Sequence, residues 1–161
     1  MKTLRDLFEH EIQDLYSAEK QLKETFPQLI DEASDAKLTD LLTKYSDQNK
    51  TQLEEVRQIA ATLNTNPGNS KCEAMEGLIK ECKGLLKHDM TANVKDAGLI
   101  ARVQRMMHYE ISAYGTSVRY AKELKEDTIA EKLQNILDQK YNVDEKLGEM
   151  AKKRINEEAI A

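Results

Sequence analysis

The sequence predicts an all-α protein: a four-helix bundle of two antiparallel hairpins, joined by a long crossover that carries a short fifth helix. Three observations carry that expectation. Gly and Pro are scarce, at 6 and 2 of 161 residues, while 33% of the chain is charged, a composition suited to helix. Apolar residues recur at steps of three and four along four long segments, the period of a helix with one buried face. One of the three joints between those segments is far longer than the others, at about 30 residues, well beyond the usual connection in a bundle.

The first helix should open at Thr3, whose spacing to Asp6 resembles a capping box, and run to about Ala33. Its seam reads Leu4, Phe8, Ile12, Leu15, Glu19, Leu22, Phe26 and Leu29. Pro27 lies inside it and removes the bond to the Lys23 carbonyl, so a kink is expected there. After "SDAK" a second seam follows through Leu38, Leu41, Tyr45, Gln48, Gln52, Val56, Ile59 and Leu63. "NTNPGNS" ends it with Pro and Gly among Asn residues, a strong breaker. Ser70 to Glu73 has another capping-box spacing. It introduces a short helix with Met75, Leu78, Ile79, Cys82, Leu85 and Leu86 on one side.

A third long helix is expected over Ala92 to Leu124, with Val103, Met107, Glu110, Tyr114, Ser117, Ala121 and Leu124 in line. Thr128 and Glu131 form the last capping-box spacing. They start a helix whose seam is Ala130, Leu133, Leu137, Lys140, Asp144, Leu147 and Ala151. Short joints make neighbouring helices antiparallel, whereas the long one lets the chain cross the length of the bundle. The result is the ferritin-like topology, in a single domain covering residues 1–161.

Composition also excludes function classes. The net charge is −5 with both signs interspersed, so no basic stripe invites nucleic acid. No apolar run approaches the ~18–20 residues that span a bilayer, and the charged start "MKTLRDLFEHEIQ" does not read as a secretory signal. A cytoplasmic protein that binds neither membrane nor nucleic acid is the expectation. Cys72 and Cys82, ten residues apart on one helix, are separated by ~15 Å of rise, too far for a disulfide, whose Cα atoms lie within ~7 Å. They read as small core residues in a reducing compartment.

The informative residues are the polar ones inside the seams. In "DLYSAEKQL" Glu19 stands between Leu15 and Leu22, which face the same way, and a carboxylate there is costly without a cationic partner. The second helix offers Gln48 and Gln52, the third Glu110, the fourth Lys140 and Asp144. Mid-seam positions of an antiparallel bundle converge at one level, so these residues predict a polar cluster within an apolar core. Such carboxylates either bind an oxygen-seeking metal or pair with a buried cation. A bundle di-iron centre uses Glu from two helices and Glu-x-x-His from the other two. None of His10, His88 and His108 lies mid-seam, and Lys140 occupies a ligand's place.

The stretches "DLYSAEKQL", "KCEAMEGLIKE", "DAGLIARVQRMMHYEISAYGT" and "LDQKYNVDEKL" resemble the YciF-like (YciE/YciF) ferritin-like stress proteins of bacteria. The resemblance spans nearly the whole chain and implies a stress-associated helical homodimer with a carboxylate di-metal site. By that resemblance Glu19, Glu110 and Asp144 are the acidic site residues. Gln48 and Gln52 stand where an acid and a His are expected, Met107 where relatives often carry Glu, and Lys140 replaces an acid. The expected site is therefore vestigial or weak, with the Lys140 ammonium in place of the metal, no catalytic residue and no cofactor. Two other readings are a single Fe or Mn ion supporting weak peroxide or O₂ chemistry, and an interaction module with an unknown protein partner.

Overall fold

A computed structural model describes residues 1–160, the side chains of Asn69, Lys153 and Arg154 apart. Four long helices dominate it: α1 (Leu4–Glu32), α2 (Ala36–Thr62), α4 (Ala92–Glu123) and α5 (Asp127–Met150). The short α3 (Glu73–Leu85) lies in the crossover, after a 3₁₀ turn at Pro67–Asn69. A π-helical segment, Ala151–Ile155, and a short turn, α6 (Asn156–Glu158), follow α5.

Pairings across the bundle give the helix directions. Phe26 and Tyr45 pack edge to face between α1 and α2, while Gln13 bonds Thr65 nearer the other end, so the two helices are antiparallel. Lys140 with Glu110 and Gln104 with Asp144 set α4 and α5 antiparallel. Lys95 with Glu32 and Tyr114 with Glu19 do the same for α1 and α4. It follows that α2 and α4 run parallel, as a lengthwise crossover requires.

The ends differ in part from their expected caps. Thr3 does close a capping box with Asp6, and α1 continues through Pro27. The N-cap of α3 is Cys72 rather than Ser70, its Sγ accepting from the Met75 amide at 3.4 Å. The N-cap of α5 is Glu126 rather than Thr128, and it makes no side-chain cap bond. The C-terminal ends of α2 and α4 close with paired backbone bonds around a left-handed residue, Asn64 (φ 55°) and Lys125 (φ 59°). That is the Schellman pattern. The α1–α2 turn is clamped by buried Asp96 at the start of α4, whose two oxygens accept from the Ser34 and Asp35 amides at 2.8 Å each.

The core is divided. One apolar cluster takes Leu22 to Leu29, Leu38 to Tyr45, Leu99 to Met107, Leu147 and the buried side of α3. The other takes Phe8 to Leu15, Val56 to Leu63, Tyr114 to Ala121 and Ile129 to Leu137. Between them lies a layer of polar side chains. Among the described residues no helix is long and apolar enough to cross a membrane.

Candidate functional site

Each long helix contributes to the polar layer because its seam carries a polar residue near mid-length, where the apolar period continues above and below. Glu19 on α1, Glu110 on α4 and Lys140 on α5 are all 0% exposed. Lys140 Nζ lies 2.6 Å from Glu110 Oε1 and 3.0 Å from Glu19 Oε1, so one ammonium bridges two carboxylates. It also sits over the rings of Tyr45 and Tyr114, at 5.1 and 5.7 Å from their centroids, within the reach of a cation–π contact.

The remaining lone pairs of the carboxylates find donors. Tyr45 Oη donates to Glu110 Oε2, and Tyr114 Oη donates to Glu19 Oε1 at 2.6 Å. Asn49 Nδ2 donates to both the side chain and the backbone carbonyl of Glu19, at 2.5 and 3.0 Å. Gln52 turns to Gln139 on α5, donating at 2.8 Å. Among the described residues, three buried oxygens, Asn49 Oδ1, Gln52 Oε1 and Ser117 Oγ, have no protein partner.

Two carboxylates and one ammonium leave a formal charge of −1 in a buried layer. Burial, reinforced by Glu19 and opposed by Lys140, pushes the Glu110 carboxyl up to about 8. Burial works against the Lys140 ammonium, but Glu110 and Glu19 outweigh it and raise its pKa above the ordinary lysine value. Burial and the adjoining carboxylates hold the Tyr45 and Tyr114 phenols well above theirs. The layer is thus a set of donors fixed on acceptors.

The structure unites Glu19, Glu110 and Lys140 as the seams suggest, and corrects two other positions, Asp144 and Gln48. Asp144 does not join them. It is half-buried at the rim, accepting from Gln104 Nε2 at 3.0 Å and lying 3.1 Å from His108 Nε2, while Val143 takes the core position beside it. Gln48 is only partly buried, and Asn49, unremarked in the seam, is the α2 residue that meets Glu19. Gln52 is buried as expected and bonds Gln139 on α5. Asn49 stands four residues after Tyr45 and Gln48 three, so either step keeps the helical period; spacing alone does not choose between them.

The donor set does not fit a two-metal centre. The Lys140 ammonium, which has no lone pair to give a metal and repels one, stands between Glu19 and Glu110. The third acid and the nearest imidazole are engaged with each other at the rim. Among the described residues no group of three or more His, Cys, Asp or Glu side chains is arranged to hold a metal.

Comparison with known proteins gives a consistent picture. A family model described as a domain of unknown function (DUF892) matches residues 3–160. The chain is 35% identical to Protein YciF of Escherichia coli (strain K12) over 160 residues, 99% of this chain and 96% of the relative. The crystal structure of the E. coli stress protein YciF superposes with a TM-score of 0.92 at 35% identity, covering 97% and 99% of the two chains. YcfI from Rhodopseudomonas palustris matches with a TM-score of 0.88 at 32% identity, over 92% and 94%.

Proposed function

The chain belongs to the family described as a domain of unknown function (DUF892), and on that premise we propose that it is a non-enzymatic stress-associated protein whose ferritin-like carboxylate site has been closed by a lysine. The observation that carries this reading is the position of Lys140 Nζ, within hydrogen-bond distance of both Glu110 and Glu19. An ammonium there supplies the positive charge that a metal supplies in a carboxylate bundle. It has no lone pair to offer a ligand sphere, and it needs no loading step. The stress association rests on the similar E. coli protein, described as a stress protein.

In this reading the protein acts through its surface, as a homodimer in the cytoplasm. The two buried free cysteines suit a reducing compartment. The test is metal content per chain, by mass spectrometry, on untagged protein reconstituted with Fe(II) or Mn(II) and then desalted. Content below about a tenth of an equivalent is expected, since a protonated lysine at the site must be displaced or deprotonated before an ion enters. One or two tightly held ions per chain would overturn the reading and reopen peroxide and O₂ chemistry.

A further inference from the structure

A second polar cluster lies apart from the layer, where the start of α3 meets α1 and α4. Tyr109 Oη donates to Asp14 Oδ2 at 2.5 Å and accepts from Cys72 Sγ at 2.9 Å. The thiol is held in place from several sides. The Cys72 amide donates to Ser17 Oγ at 2.9 Å, its carbonyl accepts from Gln21 Nε2 at 3.0 Å, and its Sγ accepts from the Met75 amide at 3.4 Å. Cys72 is 1% exposed, whereas Tyr109 and Asp14 are partly exposed. Three groups therefore stand in one donor row from the interior outward: thiol to phenol to carboxylate.

We propose that Tyr109, Asp14 and Cys72 form a one-electron relay, which takes oxidising equivalents from peroxyl radicals at the surface and delivers them to the Cys72 thiol. In the first step an electron passes from the Tyr109 phenol to the peroxyl radical. An oxidised phenol is a strong acid, and its proton moves along the existing bond to Asp14 Oδ2, leaving a neutral tyrosyl radical. The reduced peroxyl takes a proton from water and leaves as hydroperoxide. In the second step the Cys72 S–H bond breaks as a hydrogen atom crosses to Tyr109 Oη. The O–H bond re-forms there, and the unpaired electron stays on sulfur. Asp14 returns its proton to solvent. Dissolved O₂, smaller than peroxide or a thiol, then adds to the sulfur radical; an S–O bond forms, the unpaired electron moves to the outer oxygen, and Cys72 is left oxidised.

Geometry favours this route over direct attack by peroxide. Two-electron oxidation needs an accessible thiolate, but the Cys72 sulfur is enclosed, and burial raises the pKa of its thiol. Hydrogen-atom transfer to a phenoxyl oxygen needs neither ionisation nor access, only the contact that is present. Cys82 is an internal control. It is equally buried, its thiol is pushed up to about 11 by burial, and among the described residues it bonds no phenol.

The experiment exposes the purified protein to peroxyl radicals from a water-soluble azo initiator and maps oxidised residues by mass spectrometry over time. Cys72 should oxidise several-fold faster than Cys82, and Tyr109→Phe should remove that advantage while leaving Cys82 unchanged. In Cys72→Ala, freeze-quenched samples should show a stronger and longer-lived tyrosyl signal by electron paramagnetic resonance than the parent. Asp14→Asn in the same Cys72→Ala background, which keeps the phenol and removes only the proton acceptor, should weaken that signal. Equal rates at Cys72 and Cys82, or Cys72 oxidation in Tyr109→Phe as fast as in the parent, would overturn the relay.

Discussion

Lys140 Nζ and Glu110 Oε1 meet at 2.6 Å with neither residue exposed to solvent. Removing the ammonium leaves Glu110 and Glu19 facing each other without a counter-charge. Lys140→Met should therefore lose about 3–5 kcal/mol of stability, the usual cost of breaking a buried ion pair from one side. Urea unfolding at pH 8 measures it. A variant as stable as the parent would show that the ammonium is not the counter-charge of this layer.

The phenol bonds are separable from the charges. Tyr114→Phe removes only the hydroxyl that donates to Glu19 Oε1, at a cost of about 1.5–3 kcal/mol for a bond to a charged group. Tyr141→Phe, at a residue 53% exposed, serves as the comparison and should change stability little. Equal effects of the two substitutions would mean that the Tyr114 bond contributes no more than a solvated one.

Stability should fall as pH rises from about 4.5 towards 8. Burial raises the folded-state Glu110 carboxyl from 4.5 to about 8, so across that window the native protein binds more protons than the unfolded chain. Linkage then gives ΔG of unfolding a negative slope with pH. The contribution is fully present below the unfolded value and lost as pH passes the folded one. Glu110→Gln, which mimics the protonated carboxyl, should flatten that slope and match or exceed the parent at pH 9. An unchanged slope in the variant would assign the titration to another group.

Asp96 should matter as much as an apolar core residue. Its carboxylate holds the Ser34 and Asp35 amides at the α1–α2 turn, and Asp96→Ala leaves both without that acceptor. A loss of about 1–3 kcal/mol is expected, with Asp96→Asn intermediate because one carbonyl oxygen remains. Amide exchange at Ser34 and Asp35 should accelerate in parallel. If those two amides stay protected in Asp96→Ala, the clamp is redundant.

Lys125 offers a gain. Its φ of 59° is strained for a side chain with Cβ, and Gly adopts it freely. Lys125→Gly should stabilise the protein by about 0.5–1 kcal/mol, read as a higher denaturation midpoint. No gain would mean that the lysine's own contacts offset the backbone strain.

Most of the fold was legible because it rests on period. Four seams of threes and fours name four buried faces, and one long joint decides between up-down and crossover connectivity. The layer was legible to the extent that a charge interrupts a seam: Glu19, Glu110 and Lys140 stand where no polar residue belongs. What failed were choices between adjacent residues. Val143 and Asp144 both continue the line from Lys140 on α5, one by three residues and one by four, and the apolar side chain won the interior. On α2 the same ambiguity hid Asn49 behind Gln48. Caps were misplaced for a different reason. Ser70 and Thr128 satisfy a spacing rule, but the helix start is set by tertiary contacts such as those between Cys72, Ser17 and Gln21. The Cys72–Tyr109–Asp14 row was illegible altogether, since it joins three elements that are distant along the chain.

The polar layer between the two apolar clusters also fixes how the helices align lengthwise. Leu-rich seams are tolerant of sliding, because one apolar ridge fits a neighbour's groove much as the next does. A shift of one turn, ~5.4 Å, would keep most apolar contacts among these helices. The same shift would draw Lys140 off both carboxylates and part Tyr45 and Tyr114 from their acceptors. The layer thus works as an indexing pin, set at one depth on four rods that would otherwise admit several settings.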